Sequence, residues 1–235
     1  MLVIRRGTTY FRRTLERLSD GEFDEASLLP GWSRRHVIAH VSYNADGICQ
    51  LLNWARSGVE TPAYASAEAR AREIEIGATF DPPTLRKLCE DSAARLDRQC
   101  RDLPEEAWRA QIRVQGRVVP ASTTLWRRTR EVWLHAVDLN NGASFTHFPA
   151  ELIDRLVADV VTAWRERQSA DDIPNFVLVP GDRDIPQAVG DPNAPDAIVL
   201  RGAASALASW ATGRGRDGVS GSFPGATVPV APRWL

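Results

Sequence analysis

Residues 33–58 read SRRHVIAHVSYNADGICQLLNWARSG. Within them Ile38, Val41, Ala45, Ile48, Leu52 and Ala55 recur at alternating spacings of three and four, the stripe of a helix that buries one side in a bundle. Ser33 stands where an N-cap belongs, after a Pro30-Gly31 turn, and Gly58 is a credible stop. Upstream, residues 8–19 read as a shorter helix ending near Ser19-Asp20-Gly21. Downstream, a polar helix covers about 66–76. Asp81-Pro82-Pro83 opens another, with Asp81 as N-cap and Pro82 at the first helical position, and it carries Leu85, Leu88, Ala93 and Leu96 to about residue 102. The stretch from Gln111 to Val119 alternates around Gly116, which predicts a hairpin or an extended excursion. A helix from about Thr123 to Asn140 follows. Composition then shifts, with proline and glycine frequent from Pro174 onward. A helix at about 149–168, strand candidates at Phe176–Val179 and Ala197–Leu200, and a helix at 203–212 stopped by Gly213 complete the pattern. The expected class is α+β: a helical bundle over 1–148 and a smaller α/β domain over 149–235.

Composition narrows the function. The chain has 235 residues, 43% hydrophobic and 25% charged, which excludes a disordered or collagen-like protein. A net charge of −1 gives no field to recruit nucleic acid or anionic lipid. No stretch approaches the ~20 apolar residues of a membrane span. Met1-Leu2-Val3-Ile4-Arg5-Arg6 places its charges after a short apolar run, unlike a signal peptide. Cys49, Cys89 and Cys100 are odd in number and form no CxxC pair, so reduced thiols and a cytoplasmic location are expected. Of the 29 basic residues only Lys87 is lysine. Codon bias accounts for such a skew in general, but some of these guanidiniums can also grip carboxylates bidentately, which an ammonium does poorly.

The chemistry concentrates on two helices. Four histidines occur, His36, His40, His135 and His147. Glu131 and His135 lie four apart, share a helix face and can chelate one ion. A histidine from the long helix supplies a third ligand where the two helices meet, and two histidines, one glutamate and an open position describe a catalytic zinc site. His40 borders the buried stripe, whereas His36 sits in the first turn beside Arg34 and Arg35, so His40 is preferred. The competing reading takes Arg128, Glu131, His135 and Asp138 as one column on a salt-bridged solvent face.

Leu29-Pro30-Gly31-Trp32-Ser33 leading into His36 through Asn44 resembles the mycothiol-dependent maleylpyruvate isomerases, as does Pro120-Ala121-Ser122 running through Leu125-Trp126 to Arg130 through Leu139. The similarity extends through Glu60-Thr61-Pro62, Glu68-Ala69-Arg70 and Gly213-Arg214-Gly215 to Pro232-Arg233-Trp234-Leu235. The resemblance implies a DinB-like four-helix bundle joined to a smaller α/β domain, with the active site in a cleft between them. It implies a divalent metal, most often zinc, on His40, Glu131 and His135. It also implies Arg214 as a catalytic arginine and Arg70 as a substrate-binding one. The activity implied is the conversion of maleylpyruvate to fumarylpyruvate in gentisate degradation, an aromatic catabolic pathway, with mycothiol as thiol cosubstrate and no protein, nucleic-acid or membrane partner. Bland alternatives exist for both arginines: a solvated helix with i,i+4 pairs for Arg70, and a cation at a helix C-terminus for Arg214. Two further functions stay open: another mycothiol-dependent S-transferase, and a non-catalytic metal-binding protein whose closed site would recruit His36.

Overall fold

The computed structural model describes residues 2–221 and 227–234; Met1 and Leu235, which end the terminal stretches quoted above, lie outside them. The chain divides into two compact units, one up to Ala143 and one from Ser144.

The first unit holds α1 (Leu2–Glu16), α2 (Arg34–Ser57), α3 (Ala67–Ala78), α4 (Pro82–Asp102), the strands β1 (Gln111–Val114) and β2 (Arg117–Pro120), and α5 (Thr123–Asp138). Helix α2 packs against α3, α4 and α5, and α1 packs against α5 and α4. The α2 stripe is buried from Ile38 to Leu52. The helix ends at Gly58, whose φ of 74° lets its N–H reach Trp54 O. Asp81 caps α4 by accepting from the Thr84 N–H at 2.7 Å. Helix α3 lies close on α2 because Gly77 has no side chain: a Cβ there would fall 2.8 Å from Ala39 Cβ and from the Tyr43 ring.

Helix α1 starts six residues earlier than the periodicity predicts and stops sooner. Its first turn is tied to α5, where the Trp133 indole N–H donates to Val3 O at 3.1 Å. Past Glu16, Ser19 instead opens a 3-10 turn over Asp20–Asp24, with the Glu22 carboxylate accepting from the Ser19 N–H at 2.7 Å. The expected hairpin is present, joined by Gln115 and Gly116, both at positive φ as a tight turn requires. Ile112 is its buried anchor, packed with Leu51 and Ala121.

The second unit contains α6 (Ala150–Arg167), β3 (Phe176–Pro180), β4 (Gln187–Val189), β5 (Ile198–Gly202), α7 (Ala204–Ala211) and β6 (Ser220–Gly221). Its sheet runs β4-β3-β5-β6, with β3 and β5 parallel and both outer pairings antiparallel. Trp164, Phe176 and Trp210 form an aromatic core with ring centroids 5.5–5.9 Å apart. Among the described residues no helix is long and apolar enough to cross a membrane.

Candidate functional site

Helices α2 and α5 pack against each other, with Arg128 of α5 reaching the Val41 carbonyl of α2. That packing brings three polar side chains to one point. His40 Nε2 lies 2.8 Å from Glu131 Oε2 and 3.1 Å from His135 Nε2, and His135 Nε2 lies 3.0 Å from the same carboxylate oxygen. His40 is 5% exposed. A tetrahedral zinc at about 2.0–2.1 Å from each donor separates the donors by about 3.3 Å, so these atoms need part by only a few tenths of an ångström. Two imidazole nitrogens and a carboxylate oxygen are also the donor set that zinc and similar divalent ions accept. The residues fit a metal.

The surroundings orient this set. His135 Nδ1 lies 2.8 Å from Asp138 Oδ2, and Asp138 is fully buried. A carboxylate accepts, so Asp138 holds a proton on His135 Nδ1 and leaves Nε2 as the nitrogen that a metal would take in place of a second proton, as in carboxylate–histidine–metal arrangements. Burial disfavours charge on His135, yet Asp138 and Glu131 together raise it to about 9. Burial likewise opposes charge on Glu131, but the two imidazoles hold its carboxyl well below the usual range. For His40 burial wins, and its pKa is lowered.

One turn from Glu131, Arg128 is buried and donates from Nη1 to Val41 O at 2.7 Å and to Asn44 Oδ1 at 2.8 Å. With Arg128 and Asp138 both inside, the column they share with Glu131 and His135 is not a solvent face. Arg70, on α3, brings Nη2 to 3.1 Å from His40 Nδ1, so it stands at the site and not on a free helix surface. Its guanidinium lies 5.8 Å from the centroid of the Tyr64 ring.

His36 does not join the cluster. Its Nδ1 accepts from the Ser33 N–H at 3.2 Å at the start of α2, and its Nε2 lies 3.4 Å from Glu75 Oε2. A closed four-ligand site with His36 therefore has no support in this geometry. Arg214 follows α7 in the second unit, where it donates to Thr212 O at 2.8 Å and so sits as a cation at a helix C-terminus. The sequence reading placed Asp138 only in a solvent-face column and did not single out Tyr64, which lies beside Arg70. Asp138 carried a signal, its position three residues after His135; Tyr64, in the loop before α3, carried none.

The cysteines offer no nucleophile. Cys49 and Cys89 are buried and Cys100 is partly so, and burial pushes each thiol up to about 11. All three stay protonated at neutral pH.

The model of the mycothiol maleylpyruvate isomerase N-terminal domain matches residues 4–140. Two crystal structures of a mycothiol-dependent maleylpyruvate isomerase, one of them a histidine-to-alanine mutant, are each 41% identical to the chain with a TM-score of 0.91. Each match covers 99% of this chain and 95% of the other. No curated protein matches significantly.

Proposed function

Because the chain belongs to the mycothiol-dependent maleylpyruvate isomerase family, we propose that it isomerises maleylpyruvate to fumarylpyruvate with mycothiol as thiol cosubstrate and a divalent metal, best suited to zinc. The convergence of His40, Glu131 and His135 beside Arg70 carries this reading. We read α1, α2, α4 and α5 as a DinB-like four-helix bundle, supported by the pairwise packing of those helices. A cytoplasmic role in gentisate degradation follows from the substrate and from the need for a reduced thiol.

Maleylpyruvate has a cis carbon–carbon double bond between a carboxylate and a ketone. Its alkene accepts a thiolate at one carbon, and the displaced electron pair moves to the conjugated carbonyl oxygen. The former double bond then rotates as a single bond. Return of the pair expels the thiolate and leaves the trans isomer, with no net change in protons or electrons. A metal on His40, Glu131 and His135 supplies one thing, a lowered thiol pKa that gives thiolate at neutral pH. The thiol must come from outside the chain, since its own cysteines are held protonated. Arg70 is assigned to a substrate carboxylate, which its planar fork suits. Arg214 is assigned a catalytic part, stabilising the second carboxylate or the enolate.

The test follows the ultraviolet absorbance of maleylpyruvate with the enzyme, with and without mycothiol, before and after chelation. Turnover should need both thiol and metal, and His40→Ala should lose both metal and activity. Normal turnover without mycothiol removes the proposed nucleophile. Pure protein with no stoichiometric divalent metal removes the centre.

A further inference from the structure

Tyr64 lies between α2 and α3, and its hydroxyl is sealed from solvent with no acceptor for its proton among the described residues. Buried polar groups are nearly always fully paired, and a phenylalanine would fill the same space without a hydroxyl, so a buried O–H with no acceptor calls for an explanation. The Arg70 guanidinium lies 5.8 Å from the ring centroid and donates toward the phenol oxygen. A guanidinium only donates, so it cannot take the phenol proton. The ring is seated on the α2 backbone at Gly47, where an added Cβ would come within 3.2 Å of Tyr64 Cζ. Arg70 in turn reaches His40 Nδ1 at 3.1 Å. Tyr64, Arg70 and the His40–Glu131–His135 cluster therefore line one small region. Burial is the main reason the phenol is pushed up to about 12, and Arg70 only partly offsets it; the group stays a neutral donor across the working pH range.

We propose that Tyr64 is a catalytic residue whose hydroxyl donates a hydrogen bond to the substrate carbonyl oxygen as that oxygen becomes an enolate. This rests on the isomerase reading above. The carbon–sulfur bond forms, the alkene pair shifts to the carbonyl oxygen, and the Tyr64 O–H donates to the resulting charge without transferring its proton. When the pair returns, the carbon–sulfur bond breaks and the hydrogen bond relaxes. Among the described residues the O–H has no acceptor; when Arg70 turns to the substrate carboxylate, the hydroxyl it covers is uncovered and the substrate oxygen becomes that acceptor. Such a donor acts on charge that exists only after addition, so it should govern turnover more than binding.

The experiment compares wild-type and Tyr64→Phe holoenzyme with maleylpyruvate and mycothiol, measuring kcat, KM, zinc content and thermal midpoint. Loss of one oxyanion donor typically lowers kcat about 10²–10³-fold, and that loss is expected here with KM, zinc content and thermal midpoint nearly unchanged. A Tyr64→Phe enzyme with full kcat overturns the proposal and leaves the isomerase reading intact. So does a variant whose lost activity follows lost zinc or a lowered midpoint, because Tyr64 would then be structural. A wild-type enzyme inactive on maleylpyruvate overturns both.

Discussion

Asp138 illustrates how one buried carboxylate decides what its neighbours do. Fully enclosed and 2.8 Å from His135 Nδ1, it keeps a proton on that nitrogen and so leaves Nε2 as the one a metal would take. Replacing it by asparagine keeps the shape but allows the imidazole to place its proton on Nε2. Asp138→Asn should therefore weaken metal binding about 10–100-fold, read by titration of zinc against a competing chelator. Unchanged affinity would mean the His135 orientation is held by packing alone. Arg70 makes a different prediction. A neutral His40 that binds metal through Nε2 carries its proton on Nδ1, which faces the Arg70 donor. Metal loading should then release the guanidinium toward the substrate. Arg70→Lys and Arg70→Ala should keep full metal content while KM for maleylpyruvate rises at least tenfold; loss of metal in either would assign Arg70 to the centre itself. The clustering of His40, Glu131 and His135 was legible because i,i+4 spacing and the edge of an apolar stripe are local facts. Tyr64 was not, because the charged groups it lies near, Arg70 and Glu131, are 6 and 67 residues away, and only tertiary packing brings them together.

The helices were legible where their ends carry chemistry. Gly58 stops α2, and Asp81 with Pro82 starts α4, at the residues their types demand. The early start of α1 was not legible, because its reason is a hydrogen bond from Trp133 on a distant helix. Strand β4 was missed for a similar cause: Gln187–Val189 is three residues long and becomes a strand only by pairing with β3. The Asp81 cap offers a pH test. The Thr84 N–H and hydroxyl hold its carboxyl below the usual range. A carboxyl depressed in the folded state stabilises above its unfolded pKa, and that contribution is lost as pH falls through the folded value. Asp81→Ala should lower the thermal midpoint at neutral pH, with the gap to wild type closing in acid. A gap independent of pH would show the cap to be uncharged. Helix α3 supplies Arg70 but no ligand, and its approach to α2 depends on Gly77. Gly77→Val should cost about 1–3 kcal/mol of stability through overpacking. It should raise KM through Arg70 while leaving zinc content unchanged.

Across the whole molecule the arginine skew acquires structural meaning. Arg34, 5% exposed, donates to Leu139 O, Asn140 O, Glu22 O and Glu25 Oε2, which ties the start of α2 to the end of α5. Arg128 joins the same two helices further along, through Val41 O and Asn44. A lysine, with one nitrogen, could not make the four bonds of Arg34 with their separate directions. Arginines therefore frame the region in which His40, Glu131 and His135 converge, beyond any codon preference. Arg214 tests how far that logic reaches into the second unit. If it serves only as a cation after α7, its contribution is about 0.3–1 kcal/mol of stability, and lysine should replace it. If it grips a carboxylate or the enolate, lysine keeps the charge but loses the fork. Arg214→Lys and Arg214→Ala are expected to lower kcat/KM at least 10²-fold, with zinc content intact and thermal midpoints close to wild type. Full activity in Arg214→Lys would return this arginine to the role its bond to Thr212 already explains. It would also leave the substrate's second carboxylate to be bound by some other group.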